Sequence, residues 1–384
     1  MALSSLFLRN VARSTCSAGP VRQFSSSRTV LDASKVPIAL VAQLRKLNPI
    51  SLSKAREALS ASENSVEKAL EWLQKDLEVS GAKKAEKVGQ RSTDQGLIGV
   101  TVMGTRAAMV ELRCETDFVS RNSVFKTLVQ DVTSTAAFLD VPESEALDPI
   151  PLSVQDPLLA FPIEDLQSAP LIPVDPSTSS GQDTSSSSSS PVQTVSQAIR
   201  AAITQTGENI QLSRAVSFSS PLPPMFSSSP SLSLEKKPEI FYLPGVYVHG
   251  STGSTNEGTV AALSILSIES TDQARPILQR IGTEDSLGAD LQKLARSVSR
   301  QIVGFPTKSI SRPDSSASQS QSEETGTEEG EISPYLMEQP FMMFQGESRP
   351  VQEVLGSWGS ERALDVRVTG MRRWTVGEAT EGSA

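Results

Sequence analysis

The chain has 384 residues and a mass of 41.0 kDa, enough for two or three domains at roughly 150 residues each. One histidine and two cysteines exclude a site built on two imidazoles, a disulfide framework and a cysteine-rich zinc site. A net charge of −9 with a pI near 5.0 argues against non-specific nucleic-acid binding, and no apolar run reaches the roughly 18 residues of a membrane span.

Residues 1–31 hold no acidic side chain, while Arg9, Arg13, Arg22 and Arg28 are spread among serines. Leu3, Leu6, Phe7, Leu8 and Val11 can line one face of a short helix. This is the mitochondrial transit-peptide pattern, in which a basic amphipathic helix is drawn to anionic membranes and a negative-inside potential. Arg22-Gln23-Phe24-Ser25 resembles a matrix-processing site, so the expected location is the mitochondrial matrix. Cleavage there removes Cys16 and leaves Cys114 alone.

Three amphipathic helices and a basic connector are predicted over 36–88. Their apolar positions are Leu40, Val41, Leu44 and Leu47; then Leu52, Ala55, Ala58 and Leu59; then Val66, Ala69, Leu70, Leu73 and Leu77. Asn64 and Glu67 have capping-box spacing for the third helix. A first core subdomain is predicted over 95–141: strands at 97–103 and 107–114, then one helix over 118–139. Val110, Leu112 and Cys114 alternate with Glu111 and Arg113, which predicts one buried and one wet face. Residues 142–191 are rich in Pro, Ser and Asp and read as a disordered insert, in keeping with an apolar content of only 38%.

A second subdomain is expected over 192–310. It holds a helix with Val195, Ile199, Ala202 and Ile203 inward, a loose loop at 219–231, strands at 242–249 and 259–268, and a helix striped by Leu287, Leu291, Leu294, Val298 and Ile302. The strand–turn–strand–helix order repeats that of 97–139 and suggests an internal duplication. A Ser/Glu-rich, unstructured insert follows at 311–332. Residues 333–380 close the core with a short helix at 351–355 and a hairpin, 363–368 and 371–376, turned at Thr369-Gly370. The fold class is α+β: a three-helix bundle, then a two-subdomain core of antiparallel sheets and helices.

Bond-making motifs are missing. There is no G-x-x-x-x-G-K-S/T run and no G-x-G-x-x-G after a strand. His249 is the only imidazole a triad could use, and no nucleophile elbow surrounds any serine. Cys114 reads as a small buried hydrophobe. By elimination the protein acts through surfaces, with no cofactor, no metal and no enzymatic chemistry of its own.

One segment stands out: Val110-Glu-Leu-Arg-Cys-Glu-Thr-Asp-Phe-Val-Ser-Arg-Asn-Ser-Val-Phe125. A strand runs out at Cys114-Glu115, and Thr116 or Asp117 can cap the helix that follows. Phe118 and Val119 then fall in its first turn, at an exposed strand-to-helix corner. On the residues alone, the favoured reading is Asp117 as a plain cap and Phe118 as core.

The segment closely resembles the signature of the elongation factor Ts family. Arg113 stands where the family has Asn, and Ser120 where it has Ala. Other landmarks follow in order: Leu44-Arg45, Lys54-Ala55-Arg56-Glu57-Ala58-Leu59 and Glu71-Trp72-Leu73 in a UBA-like bundle, and Gly81-Ala82-Lys83-Lys84 after it. Later come Gly207-Glu208-Asn209-Ile210, Tyr247-Val248-His249-Gly250, Gln339-Pro340-Phe341-Met342 and Val368-Thr369-Gly370. The inserts and loop 251–258 depart from the family pattern.

The resemblance implies a guanine-nucleotide exchange factor for elongation factor Tu, here the mitochondrial one in its GDP-bound and nucleotide-free states. It implies partner contacts by Asp117 and Phe118, framed by Thr116 and Val119 and continued by Arg121 and Asn122. His249 and Gly250 match a second contact region, and Arg45 a third in the bundle. By residue type alone, His249 also reads as a structural hydrogen-bonder and Arg45 as a solvated helix charge. The competing reading is a UBA-type ubiquitin-binding adaptor, since a three-helix bundle of this kind also serves there.

Overall fold

The computed structural model describes residues 36–378 except 49, 77–80, 142–155, 175–192, 221–238, 252, 273 and 314–331. The leader at 1–31 lies outside those residues, as do most of 219–231 and 311–332.

Helices α1 (Ile38–Leu47), α2 (Leu52–Ala61) and α3 (Val66–Asp76) pack around Val41, Leu44, Ala55, Ala58, Leu59, Ala69 and Leu73. Ser51 caps α2 by accepting from the Lys54 amide at 3.3 Å. The cap of α3 is Ser65, which accepts from the Lys68 amide, and not Asn64. Asn64 instead takes a left-handed conformation (φ 63°) that closes the preceding turn, a state Asn tolerates well. Lys54 reaches Asp76 at 2.8 Å and lies over the Trp72 ring, which ties α2 to α3. A short helix, α4 (Ala82–Val88), places Val88 in the main core.

Two antiparallel sheets form the rest. Strands β1 (Gln95–Met103) and β2 (Arg106–Cys114) make the first hairpin, followed by α5 (Asp117–Ser120) and α6 (Ser123–Phe138). Then come β3 (Leu159–Ala160), α7 (Ile163–Ser168), α8 (Val195–Thr206) and β4 (Ile210–Ser219). Strand β5 (Ile240–His249) opens the second sheet, and β6 (Glu257–Gly258) returns to the edge of the first. Strand β7 (Val260–Ser270), α9 (Ile277–Thr283), α10 (Leu287–Gly304), a 3-10 turn (Leu336–Glu338), α11 (Val351–Ser360) and β8 (Leu364–Thr375) complete the chain. The sheet orders are β3-β4-β2-β1-β6 and β5-β7-β8.

The result is four layers: helices, sheet, sheet, helices. α6 and α8 cover the outer face of the first sheet through Phe125, Val129, Val132 and Ile199. Between the sheets, Ile98, Val100, Met109, Val216 and Phe218 meet Leu263, Ile265 and Trp374. α10 and α11 cover the second sheet through Leu291, Leu294, Val298 and Trp358. The α+β class is therefore seen directly.

Several expectations are corrected. Part of the stretch read as a disordered insert is ordered: Leu158, Phe161 and Leu166 are buried, and the Phe161 amide donates to Ala215. The helix expected over 118–139 is two helices, because Asn122 is extended and caps α6 through the Val124 amide at 3.0 Å. Strand β4 was not foreseen. It joins the first sheet, so the change of layer falls between Ser220 and Glu239, not at 142–191. The Thr369-Gly370 hairpin is one continuous strand: Ile265 pairs with Gly370 and Leu266 with Val368, leaving Thr369 as a bulge.

The wet face expected of β2 is also buried. Glu111 is fully enclosed, because the second sheet covers that side. Arg113 Nε and Arg214 Nε donate to it at 2.7 and 2.6 Å, and the Gly377 amide at 3.0 Å. The two guanidinium groups neutralise a carboxylate that could not otherwise be buried.

Candidate functional site

The corner after β2 is built by local capping. Thr116 is extended, and its Oγ1 accepts from the Val119 amide at 3.4 Å, starting the one-turn helix α5. Ser120 Oγ donates back to the Asp117 carbonyl at 2.8 Å. Arg121 Nε donates to Asp117 Oδ1 at 2.9 Å, an exposed pair of little energetic weight that fixes the direction of the acid. Asn122 ends the turn by capping α6.

The turn divides its residues sharply. Val119 and Ser120 point into the first core. Phe118 points out and is 86% exposed, the highest exposure of any large apolar side chain among the described residues. Single exposed apolar residues are common on proteins. This one is distinguished by its mounting on a turn capped by Thr116 at one end and closed by Asn122 at the other.

Beneath the corner lies a brace that motif reading did not assign. Glu208 Oε1 accepts from Thr116 Oγ1 at 2.7 Å, and its Oε2 from the Thr116 amide at 3.0 Å. Reciprocally, Glu115 Oε1 accepts from the Asn209 amide at 2.6 Å. Asn209 Nδ2 donates to the Arg91 carbonyl at 2.9 Å, which adds the end of α4 to the assembly. Gly207 (φ 78°) ends α8 in the left-handed region and turns Glu208 towards the corner. The Gly207-Glu208-Asn209-Ile210 run was visible in the sequence, but nothing there tied it to Thr116. Cys114, just behind the corner, is fully buried, and burial pushes its thiol up to about 12, with the Glu208 charge second.

His249 is exposed at the end of β5, and Gly250 follows at φ +73°. A Cβ on Gly250 would meet Thr259 Oγ1 at 2.1 Å, so both conformation and space require glycine. This region is tied to α6 through one buried carboxylate. Glu257 accepts from Gln130 of α6 at 2.8 Å and lies 3.8 Å from Lys126, while its neighbour Gly258 packs on the His249 carbonyl. Arg45 stands apart on the bundle, where its Nε donates to the Ile50 carbonyl at 2.9 Å and closes the turn after α1.

Among the described residues, no group of three or more His, Cys, Asp or Glu side chains is placed to hold a metal ion, and no helix is long and apolar enough to cross a membrane. The arrangement offers a displayed aromatic and an oriented acid.

Comparison with known proteins gives a consistent result. The chain is 42% identical to the mitochondrial elongation factor Ts of Cryptococcus neoformans, over 91% of its own length and 89% of that protein's. It is 37% identical to the mitochondrial elongation factor Ts of Coprinopsis cinerea, covering 90% and 93% of the two chains. The protein of the same name from Laccaria bicolor is 35% identical, with 93% and 95% covered. No family model matches the chain.

Proposed function

The chain belongs to the elongation factor Ts family, and from that premise we propose that it promotes GDP release from elongation factor Tu in the mitochondrial matrix. The observation that carries this reading is the exposure of Phe118 on a capped turn. An exchange factor binds the nucleotide-free GTPase more tightly than the GDP-bound one, and GDP affinity then falls by the same factor. A factor that bound both states equally would shift nothing.

Phe118 is the wedge. Its burial against the open form of the partner stabilises that form by ~1.5–3 kcal/mol, or roughly 10–150-fold in the exchange equilibrium. Asp117, held by Arg121, enters beside it with negative charge near the magnesium and phosphate sites. Thr116 and Asn122 set the turn, and Val119 anchors it from inside. His249 and Gly250 supply a second contact, and Arg45, with the UBA-like bundle, a weaker third. The protein makes and breaks no bond.

The test is a GDP-release assay with matrix elongation factor Tu. Phe118→Ala is expected to keep the fold and slow release at least tenfold. Unchanged release in a folded variant refutes the wedge. Ile38 and Leu52, exposed on the bundle, are the feature a ubiquitin-binding adaptor would use. Capture of ubiquitin without elongation factor Tu would favour that second reading.

A further inference from the structure

The reciprocal brace under the corner carries an inference that rests on the exchange reading. We infer that Glu208 is a positioning residue: it sets the direction in which Phe118 meets the partner by holding both polar groups of Thr116. The geometry is specific. One carboxylate takes the hydroxyl proton at 2.7 Å through one oxygen and the amide proton at 3.0 Å through the other. The same hydroxyl oxygen accepts from the Val119 amide and so starts α5. Glu208 therefore fixes the hydroxyl rotor that caps the turn.

Charge-assisted hydrogen bonds of this kind are the stronger ones, and two on one residue leave Thr116 little rotational freedom. Glu115 returns the contact to the Asn209 amide at 2.6 Å, so the end of β2 and the turn from α8 into its neighbour β4 grip each other. Glu208 is only half-buried and lies outside the apolar clusters. Both of its carboxylate oxygens are engaged by Thr116. Phe118 itself makes no aromatic contact with the rest of the described chain, so its orientation is inherited from the turn below it. A loose turn would present the same ring in many directions. Catalysis of exchange would then fall even though the ring remains exposed, because only the correctly oriented fraction can insert.

The test uses the full mature chain and elongation factor Tu loaded with fluorescent GDP. Glu208→Gln keeps the shape of the side chain and one acceptor but replaces the second oxygen with a donor. In the free factor, hydrogen exchange at the Thr116 and Val119 amides is expected to rise at least tenfold, while the melting temperature stays within a few degrees. The maximal release rate at saturating factor is expected to fall about fivefold to tenfold. The double variant Glu208→Gln/Phe118→Ala is expected to release GDP no more slowly than Phe118→Ala alone, because Glu208 acts through the ring.

Unchanged amide protection, or an unchanged maximal rate, overturns the positioning role. Additive losses in the double variant also overturn it, since they place Glu208 in a separate task. If the unaltered factor does not speed release, the exchange reading itself fails; if it does and Phe118→Ala has no effect, the wedge fails, and the proposed role of Glu208 fails with it. The amide measurement on the free factor then shows separately whether the clamp exists.

Discussion

The two hairpin–helix halves of the core share a plan and differ at one corner. β1-β2 and β5-β7 are each followed by a short helix, α5 or α9, and then by a long one, α6 or α10, that packs back across the hairpin. Each crossing is made close by a glycine in the first strand. A Cβ on Gly99 would meet Thr133 Oγ1 at 2.3 Å, and one on Gly245 would meet the Ala295 carbonyl oxygen at 2.4 Å. The short helices then diverge. α9 buries Ile277 completely and pairs Arg280 with Glu284 at 2.9 Å. α5 buries Val119 but displays Phe118. Leu278 of α9 is also exposed, but at 40% against 86% for Phe118, so the fuller display after β2 is a local choice of residues, not a demand of the fold.

Three variants would break or sharpen that contrast. The largest effect is expected where the halves join. Glu111→Ala leaves Arg113 and Arg214 facing each other without their carboxylate, and a loss of about 3–5 kcal/mol is expected in a denaturant melt. A loss under about 1 kcal/mol would mean that water already screens the seam. Next, Ile277→Ala is expected to cost about 2–5 kcal/mol, whereas Phe118→Ala should leave the denaturant midpoint unchanged. Equal costs would erase the distinction between the two short helices.

The smallest effect concerns Cys114. Its thiol is raised from 9.0 to about 12, chiefly by burial. The stability this contributes is complete below about pH 9 and is lost as pH climbs from 9 towards 12. In a chain lacking Cys16, alkylation at pH 8 should be slow when native and fast in denaturant. Rapid native alkylation would show that the corner opens.

Much of the architecture was legible because it follows simple periods. Residues 110–114 alternate apolar and charged side chains, the long helices repeat every three to four residues, and Thr116 is a residue type that caps. What was missed has a physical reason each time. β4 escaped because a bulge opposite the Glu111/Leu112 step shifts its alternation: Ile210 and Leu212 face one core, then Val216 and Phe218 face the other. In β8, Thr-Gly looked like a turn, but β7 runs alongside both halves, and Gly370 lets Pro157 approach closely. Phe161 and Leu166 were lost in a Pro- and Ser-rich context whose average hides two core residues. At the corner, Thr116 was readable as a cap candidate beside Asp117, while Asn122 was hidden because the apolar period runs on across it. Glu208 was not, because its partner lies 92 residues away.

The three tryptophans give the molecule a set of built-in optical probes. Lys54 sits 5.0 Å from the Trp72 ring, Arg362 sits 4.2 Å from Trp358, and Arg214 sits 4.4 Å from Trp374. Each indole thus carries its own cation: one in the N-terminal bundle, one on the outer helix of the second sheet and one at the seam between the sheets. Emission from single-tryptophan versions would follow the loosening of three separate places during unfolding, with Trp374 reporting on the seam between the sheets.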